Sequence, residues 1–180
     1  RPREAAITMV APAHLEGFGS VENVARAKAE IVEALPANGA FYVNDDDPWC
    51  QEIAQSFPGN KIRFGHSGDV VLRDAASVSR EEVKLDIAPI GSITLPLFCR
   101  AHATNVLLAV AIGLAHGVDD FEGPLRRALA NTTRFKIRRV GPLEIIDDTY
   151  NANPASMKAA LDALAERPGA GKRMAVLGDM

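Results

Sequence analysis

Cysteine is nearly absent: the chain has 2, Cys50 and Cys99, far apart and without CxxC spacing. That excludes a cysteine-ligated zinc site and a disulfide framework, and it fits a reducing, cytoplasmic compartment. Long apolar runs are lacking too. A membrane-spanning helix needs roughly 18 apolar residues, whereas the most apolar segment, LLAVAIGLA, is bracketed by His102 and His116. Neither membrane insertion nor a signal peptide is expected from these residues. Basic charge is not in excess. The formal net charge is -3 and the isoelectric point is about 5.8, so no electrostatic ground exists to expect nucleic acid. Phosphate-binding fingerprints are also missing. The absence of GxGxxG argues against a plain dinucleotide-binding Rossmann domain, and there is no GxxxxGK[ST]. The nearest string, GAGK at 169–172, lacks the spaced first glycine and the following Ser or Thr. It also joins a helix to a strand, where a phosphate-binding loop joins a strand to a helix. Internal repeats and low-complexity segments are absent.

What remains is globular: 47% hydrophobic over 180 residues, enough for one substantial core or for one domain plus part of another. AAITMVA (5–11) reads as a short strand and PAHLEGFG (12–19) as a loop. Ser20 is a good N-cap for a helix that reaches about Leu35, where PANG stops it. AFYVN (40–44) is a strand, DDDP (45–48) starts a helix ending near FPGN, and KIRFG (61–65) is another strand. This alternation predicts a parallel sheet flanked by helices. From Gly68 to Leu97 the pattern changes to antiparallel strands with short turns. Two helices follow: RAHATNVLLAVAIGLAHG (100–117), mostly buried, and VDDFEGPLRRALAN (118–131), with Asp119 or Asp120 near its cap. KIRRVGPLEIIDD (136–148) is a strand pair about Gly141-Pro142. Asn153 and Pro154 stand as N-cap and first residue of a further helix, and RMAVL (173–177) reads as a final strand. The fold class is therefore α/β, a mostly parallel sheet with flanking helices plus a small antiparallel sheet. A boundary near 134–138 divides the chain into 1–135 and 136–180, because strand–helix–strand alternation restarts there. The first strand begins almost at once and the last is followed by nothing, so the chain reads as a piece of a longer protein.

One residue is out of place. In the helix after Ser20, Val21, Val24, Ile31 and Leu35 form an apolar stripe, and position 28 on it is Lys. Burying an unpaired ammonium is costly, so such a lysine pairs, neutralises or is modified, or its stem covers apolar surface while the amine reaches the edge. His14 lies in the loop that feeds this helix, at the end of a strand, with Glu16 beside it. Ligand sites in α/β sheets form at the carboxyl ends of strands, so His14 and Lys28 are expected at one crevice.

These residues carry a resemblance. AHLEGFGSVENVARAKAEI resembles the central-domain motif of the Mur ligases, which build the peptide of bacterial peptidoglycan. The resemblance implies that His14 binds magnesium and that Lys28 carries a carbamate whose oxygens help hold that ion. LEIIDDTYNANPASMKAAL (143–161), followed by VLGDM (176–180), is similar to the start of the C-terminal domain in the family member that adds D-alanyl-D-alanine to UDP-MurNAc-tripeptide. HATNVLLA (102–109) implies an adenine contact at Asn105, with His102 at the nucleotide. TRF (133–135) implies a phosphate contact at Arg134, and Asp148 would meet the ribose. The four matches keep the family's order across nearly the whole chain.

The resemblance implies a monomeric, ATP- and Mg2+-dependent ligase working through an acyl phosphate, with Lys28, His14 and Arg134 as catalytic residues. Residues 1–135 would be a partial central ATP-binding domain without its phosphate-binding loop, and 136–180 the first strand–helix–strand part of the C-terminal domain. On that ground the piece alone is expected to be inactive, and the 134–138 connector is a candidate hinge. Alternatives stay open. A cyanophycin- or folylpolyglutamate-type ligase shares the core without DDTYNANP, and a non-catalytic nucleotide-binding module shares the fold. Asn105 is also explained as a satisfied polar residue in a buried helix, Arg134 as a surface arginine, and Asp147 and Asp148 as turn-formers that cap the next helix. Asn151 and Asn153 suit a turn and a cap. NDDDP (44–48) is better explained as a helix start than as a metal cluster, and His66 and His116 have no assigned role.

Overall fold

The computed structural model describes residues 2–12, 15–97, 102–132, 135–167, 169 and 171–178, with the backbone alone at 15 and 16. The chain begins with β1 (Glu4–Ile7), α1 (Leu15–Phe18), α2 (Val21–Glu33), β2 (Ala40–Asn44), α3 (Pro48–Ser56) and β3 (Asn60–Gly65). Next come β4 (Val70–Ser77), β5 (Val83–Ala88), β6 (Gly91–Leu95), α4 (Ala103–Ala115) and α5 (Glu122–Ala130). β7 (Lys136–Val140), β8 (Leu143–Asp147) and α6 (Pro154–Glu166) complete the described elements.

β1 to β6 form one sheet in sequence order. β1 to β4 pair in parallel and β4 to β6 antiparallel, so the antiparallel strands extend the parallel part of the same sheet. β7 and β8 form a separate antiparallel pair. Steps from β1 to β2 to β3 run in one direction, and right-handed crossovers then place α2 and α3 on one face. The period of 2 in β2 sorts its side chains accordingly. Phe41 and Val43 join Val24, Val32 and Ile53 of these helices in one core. Tyr42 joins Phe64, Leu85, Val106 and Val110 in a second core beneath α4.

Local caps explain several boundaries. The Ser20 side chain accepts from the Asn23 amide at the start of α2. Asp47 caps α3, accepting from the amides of Trp49 and Cys50, with Pro48 in the first turn. Asn153 and Ser156 form a reciprocal capping box at α6.

Three expectations about the elements differ from the structure. α5 begins after Phe121 with no side-chain cap, so neither Asp119 nor Asp120 serves it. Residues 173–177 make no strand, and Met174 and Val176 are 83% and 91% exposed. An apolar run becomes a strand only with a ladder partner, and among the described residues it has none. The segment 12–19, expected as a loop, contains the short helix α1.

Candidate functional site

The carboxyl ends of β1 and β2 carry a compact hydrogen-bonded arrangement. The three residues that follow β1 are each held by one side chain. The Asn44 amide donates to the Thr8 carbonyl at 2.6 Å. The Lys28 ammonium donates to the Met9 carbonyl at 2.6 Å. The Val10 amide donates to Asp47 Oδ2 at 2.7 Å. Asn44 and Asp47 are the buried polar residues among those described, and burial strengthens the requirement that both be paired. Asp47 therefore joins the start of α3 to the chain leaving β1. Sequence reasoning missed this role of Asn44 and Asp47. The NDDDP string was its only signal, and it reads equally well as a simple helix start.

Lys28 corrects an expectation. It is exposed, not buried, and Ile31 on the expected stripe is 45% exposed. Val24 and Leu35 of that stripe are buried, and Ala25 and Val32 complete the buried face. The lysine extends to the sheet's edge and finds a carbonyl there, which removes the need to desolvate an unpaired charge. Near it, burial pushes the Cys50 thiol up to about 12, helped by the Asp47 carboxylate and opposed by Lys28. Cys50 is thus a protonated core residue, its Sγ 3.6 Å from the Ile7 carbonyl.

The neighbouring acidic residues are engaged locally. Asp45 pairs with Arg63 and accepts from the Ser67 hydroxyl at 2.7 Å. Asp46 accepts from the His66 amide at 2.9 Å and meets its ring Nδ1 at 2.9 Å. Gly65 permits that approach, since a Cβ there would lie 2.9 Å from the Asp46 carboxylate. Among the described residues no group of three or more His, Cys, Asp and Glu could hold a metal ion.

A second region lies where β7 meets the first part of the chain. A cavity of about 530 Å³ is lined by Glu81, His102, Thr132, Phe135, Lys136 and Arg138 among others. The His102 and Phe135 rings meet edge to face, centroids 4.8 Å apart. Phe135 has φ 49, a strained value for a bulky residue. Asn105 and Asp148 do not line this cavity. Asn105 is exposed on the first turns of α4, which overturns its reading as a satisfied polar residue in a buried helix. Of the two expected turn-formers, Asp147 and Asp148, only Asp147 bonds the turn at Thr149. Asp147 is the turn-former: its Oδ1 accepts from the Thr149 hydroxyl and amide, and these bonds hold its carboxyl below the usual range. Asp148 Oδ1 is buried and has no hydrogen-bond partner. His14 and Arg134 lie outside the described residues.

The sequence matches the family described as Mur ligase middle domain over residues 1–113. It matches the family described as Mur ligase, glutamate ligase domain over residues 133–180. It is 36% identical to the UDP-N-acetylmuramoyl-tripeptide–D-alanyl-D-alanine ligase of Escherichia coli (strain K12), an alignment covering 100% of this chain and 41% of that protein. The structure is similar to that of MurF from Acinetobacter baumannii, with a TM-score of 0.84 and 32% identity over 93% of this chain and 38% of that one. It is also similar to MurF ligase from Thermotoga maritima in complex with ADP, with a TM-score of 0.81 and 26% identity over 93% of this chain and 40% of that one. The chain thus spans about two fifths of the length of these relatives.

Proposed function

This chain belongs to the Mur ligase family, and we propose that it serves the ATP-dependent joining of D-alanyl-D-alanine to UDP-MurNAc-tripeptide in peptidoglycan precursor synthesis. The observation that carries this reading is the similarity of this whole chain, at 36% identity, to about two fifths of the Escherichia coli UDP-N-acetylmuramoyl-tripeptide–D-alanyl-D-alanine ligase. In this reading residues 1–135 are part of the central ATP-binding domain and 136–180 begin the C-terminal domain. The protein works as a cytoplasmic monomer.

The nucleotide has residues suited to it. Asn105 is exposed and offers both an amide donor and a carbonyl acceptor, as an adenine edge requires. Asp148 Oδ1 is a buried acceptor without a donor, which a ribose hydroxyl would satisfy. His102 borders the cavity beside β7, and Arg134 is assigned to the phosphates.

Magnesium is a stricter test. An ammonium has no lone pair, so Lys28 suits the ion only as a carbamate, which supplies the oxygens that magnesium prefers. In that form Lys28 and His14 would hold it, and the ion would offset charge on the phosphoryl oxygens.

The chemistry is transfer followed by substitution. The tripeptide carboxylate takes the γ-phosphoryl group of ATP to give an acyl phosphate and ADP. The dipeptide amine then attacks the acyl carbon, losing a proton, and inorganic phosphate leaves through a tetrahedral intermediate. This chain's part is to bind and orient the nucleotide and to place cationic groups where charge develops.

The test is phosphate release from ATP by the full-length protein with UDP-MurNAc-tripeptide, with and without D-alanyl-D-alanine. Release that requires the dipeptide supports the reading. Release triggered by a different amine retains the family and overturns the substrate assignment.

A further inference from the structure

The two parts of the chain meet through a ring of charged side chains closed by one backbone carbonyl. The turn between β4 and β5 is held internally, with the Val78 and Ser79 amides donating to the Glu82 carbonyl at 2.9 and 3.3 Å. It is also tied to α5, since Arg126 donates to Glu82 at 2.6 Å. From this turn the Arg80 carbonyl accepts from the Arg167 guanidinium at 2.9 Å. The Arg167 Nε pairs with Glu144 on β8. Glu144 in turn faces the Arg139 Nε of β7 at 3.7 Å, and Arg139 reaches back to Glu81 at 2.5 Å. The ring begins and ends on adjacent residues of one turn and passes through the end of α6, β8 and β7.

Its members are not equivalent. Glu81 and Arg139 are 53% and 66% exposed, and such exposed pairs contribute little alone. The Arg167 side chain is only 9% exposed. Its planar fork holds Glu144 and the Arg80 carbonyl at once, which a lysine's single ammonium does not reproduce. The backbone at Gly169 passes so near that a Cβ there would lie 2.9 Å from the Arg80 guanidinium.

We propose that Arg167 is a positioning residue: with Glu144 it docks the β7–β8–α6 unit onto the β4–β5 turn, and so fixes where Asp148 stands relative to α4. The Glu81–Arg139 pair is the weaker second point of the same latch. Its bearing on nucleotide affinity rests on the function proposed above, whereas the docking itself does not.

The experiment places nitroxide labels on the full-length protein through non-natural residues at exposed Gln55 and Ala165, and measures the distance distribution between them. The unsubstituted protein should give one narrow distribution. Arg167→Met should broaden it most. Glu81→Gln and Arg139→Gln should broaden it less, and the double variant no more than either single one, as residues sharing one interaction behave. A narrow, unchanged distribution in folded Arg167→Met overturns the proposal. Should that variant fail to fold, the exposed Glu81→Gln/Arg139→Gln variant decides, with broadening in favour and no change against. ADP binding on the same samples separates the two readings. Broadening together with weakened ADP affinity supports both. Broadening in a protein that never binds ADP supports the latch and removes the nucleotide role.

Discussion

The Lys28 ammonium donates to the Met9 carbonyl at 2.6 Å, so α2 is tied directly to the chain leaving β1. The lysine is exposed, and no core depends on it. Lys28→Ala should therefore change stability by no more than about 1 kcal/mol, the scale of one hydrogen bond at a surface. Phosphate release by the full-length protein should fall at least about a hundredfold, as when a group that stabilises transition-state charge is removed. Urea denaturation beside the phosphate assay checks the pair of outcomes. Parallel losses in both would place Lys28 in the structure alone.

Asp47 gives the opposite expectation. Its carboxylate caps α3 through Trp49 and Cys50 and also satisfies the Val10 amide. Asp47→Ala removes a cap and leaves a buried donor unpaired, so the loss should be about 2–4 kcal/mol. Asp47→Asn keeps one acceptor and should recover part of it. Both are read from urea midpoints at constant slope.

Asp148 separates stability from binding. Its buried Oδ1 has no donor, and an unpaired buried acceptor costs free energy. Asp148→Ala should leave stability unchanged or raise it by about 1 kcal/mol, while weakening ADP about tenfold or more. Calorimetric titration against the thermal transition tests this. Lost stability with unchanged ADP affinity would reject the ribose role.

The charge on Glu144 supplies a pH dependence. Its bond to Arg167 first, then the charges of Arg167, Arg139 and Arg80, hold its carboxyl below the ordinary value of 4.5, with burial opposing them. A lowered folded value means stability fully present above the unfolded value and lost as pH falls through the folded one. The stability difference between the unsubstituted protein and Arg167→Met should thus be constant near neutrality and shrink below pH 4.5. A difference that grows on acidification would contradict the pairing.

Much of this architecture was legible wherever a local rule decides the outcome. β2 falls on Ala40–Asn44, and the α6 cap falls on Asn153, because strand alternation and capping chemistry act over a few residues. Lys28 was misplaced because helical periodicity gives a face but not where that face meets the sheet's edge. Residues 173–177 have a strand's composition, yet pairing depends on a neighbour that composition does not name. Asp119 and Asp120 have capping chemistry, but α5 starts two or three residues later, behind Phe121 in the core beneath α4. The division between Asp147 and Asp148 was equally hidden, since only the turn at Thr149 decides which carboxylate it consumes.

The change from parallel to antiparallel pairing at β4 also orders events in time. Strands β4 to β6 close through tight turns, whereas β1, β2 and β3 pair only after helical crossovers, and closure costs more entropy as the connecting loop lengthens. In pulsed hydrogen exchange during refolding, amides of 70–95 should gain protection before those of 40–44, and the reverse order would reject this. The turn that receives β7, β8 and α6 is thereby among the earliest parts to form, so a refolding chain carries its own docking template before its parallel sheet is complete.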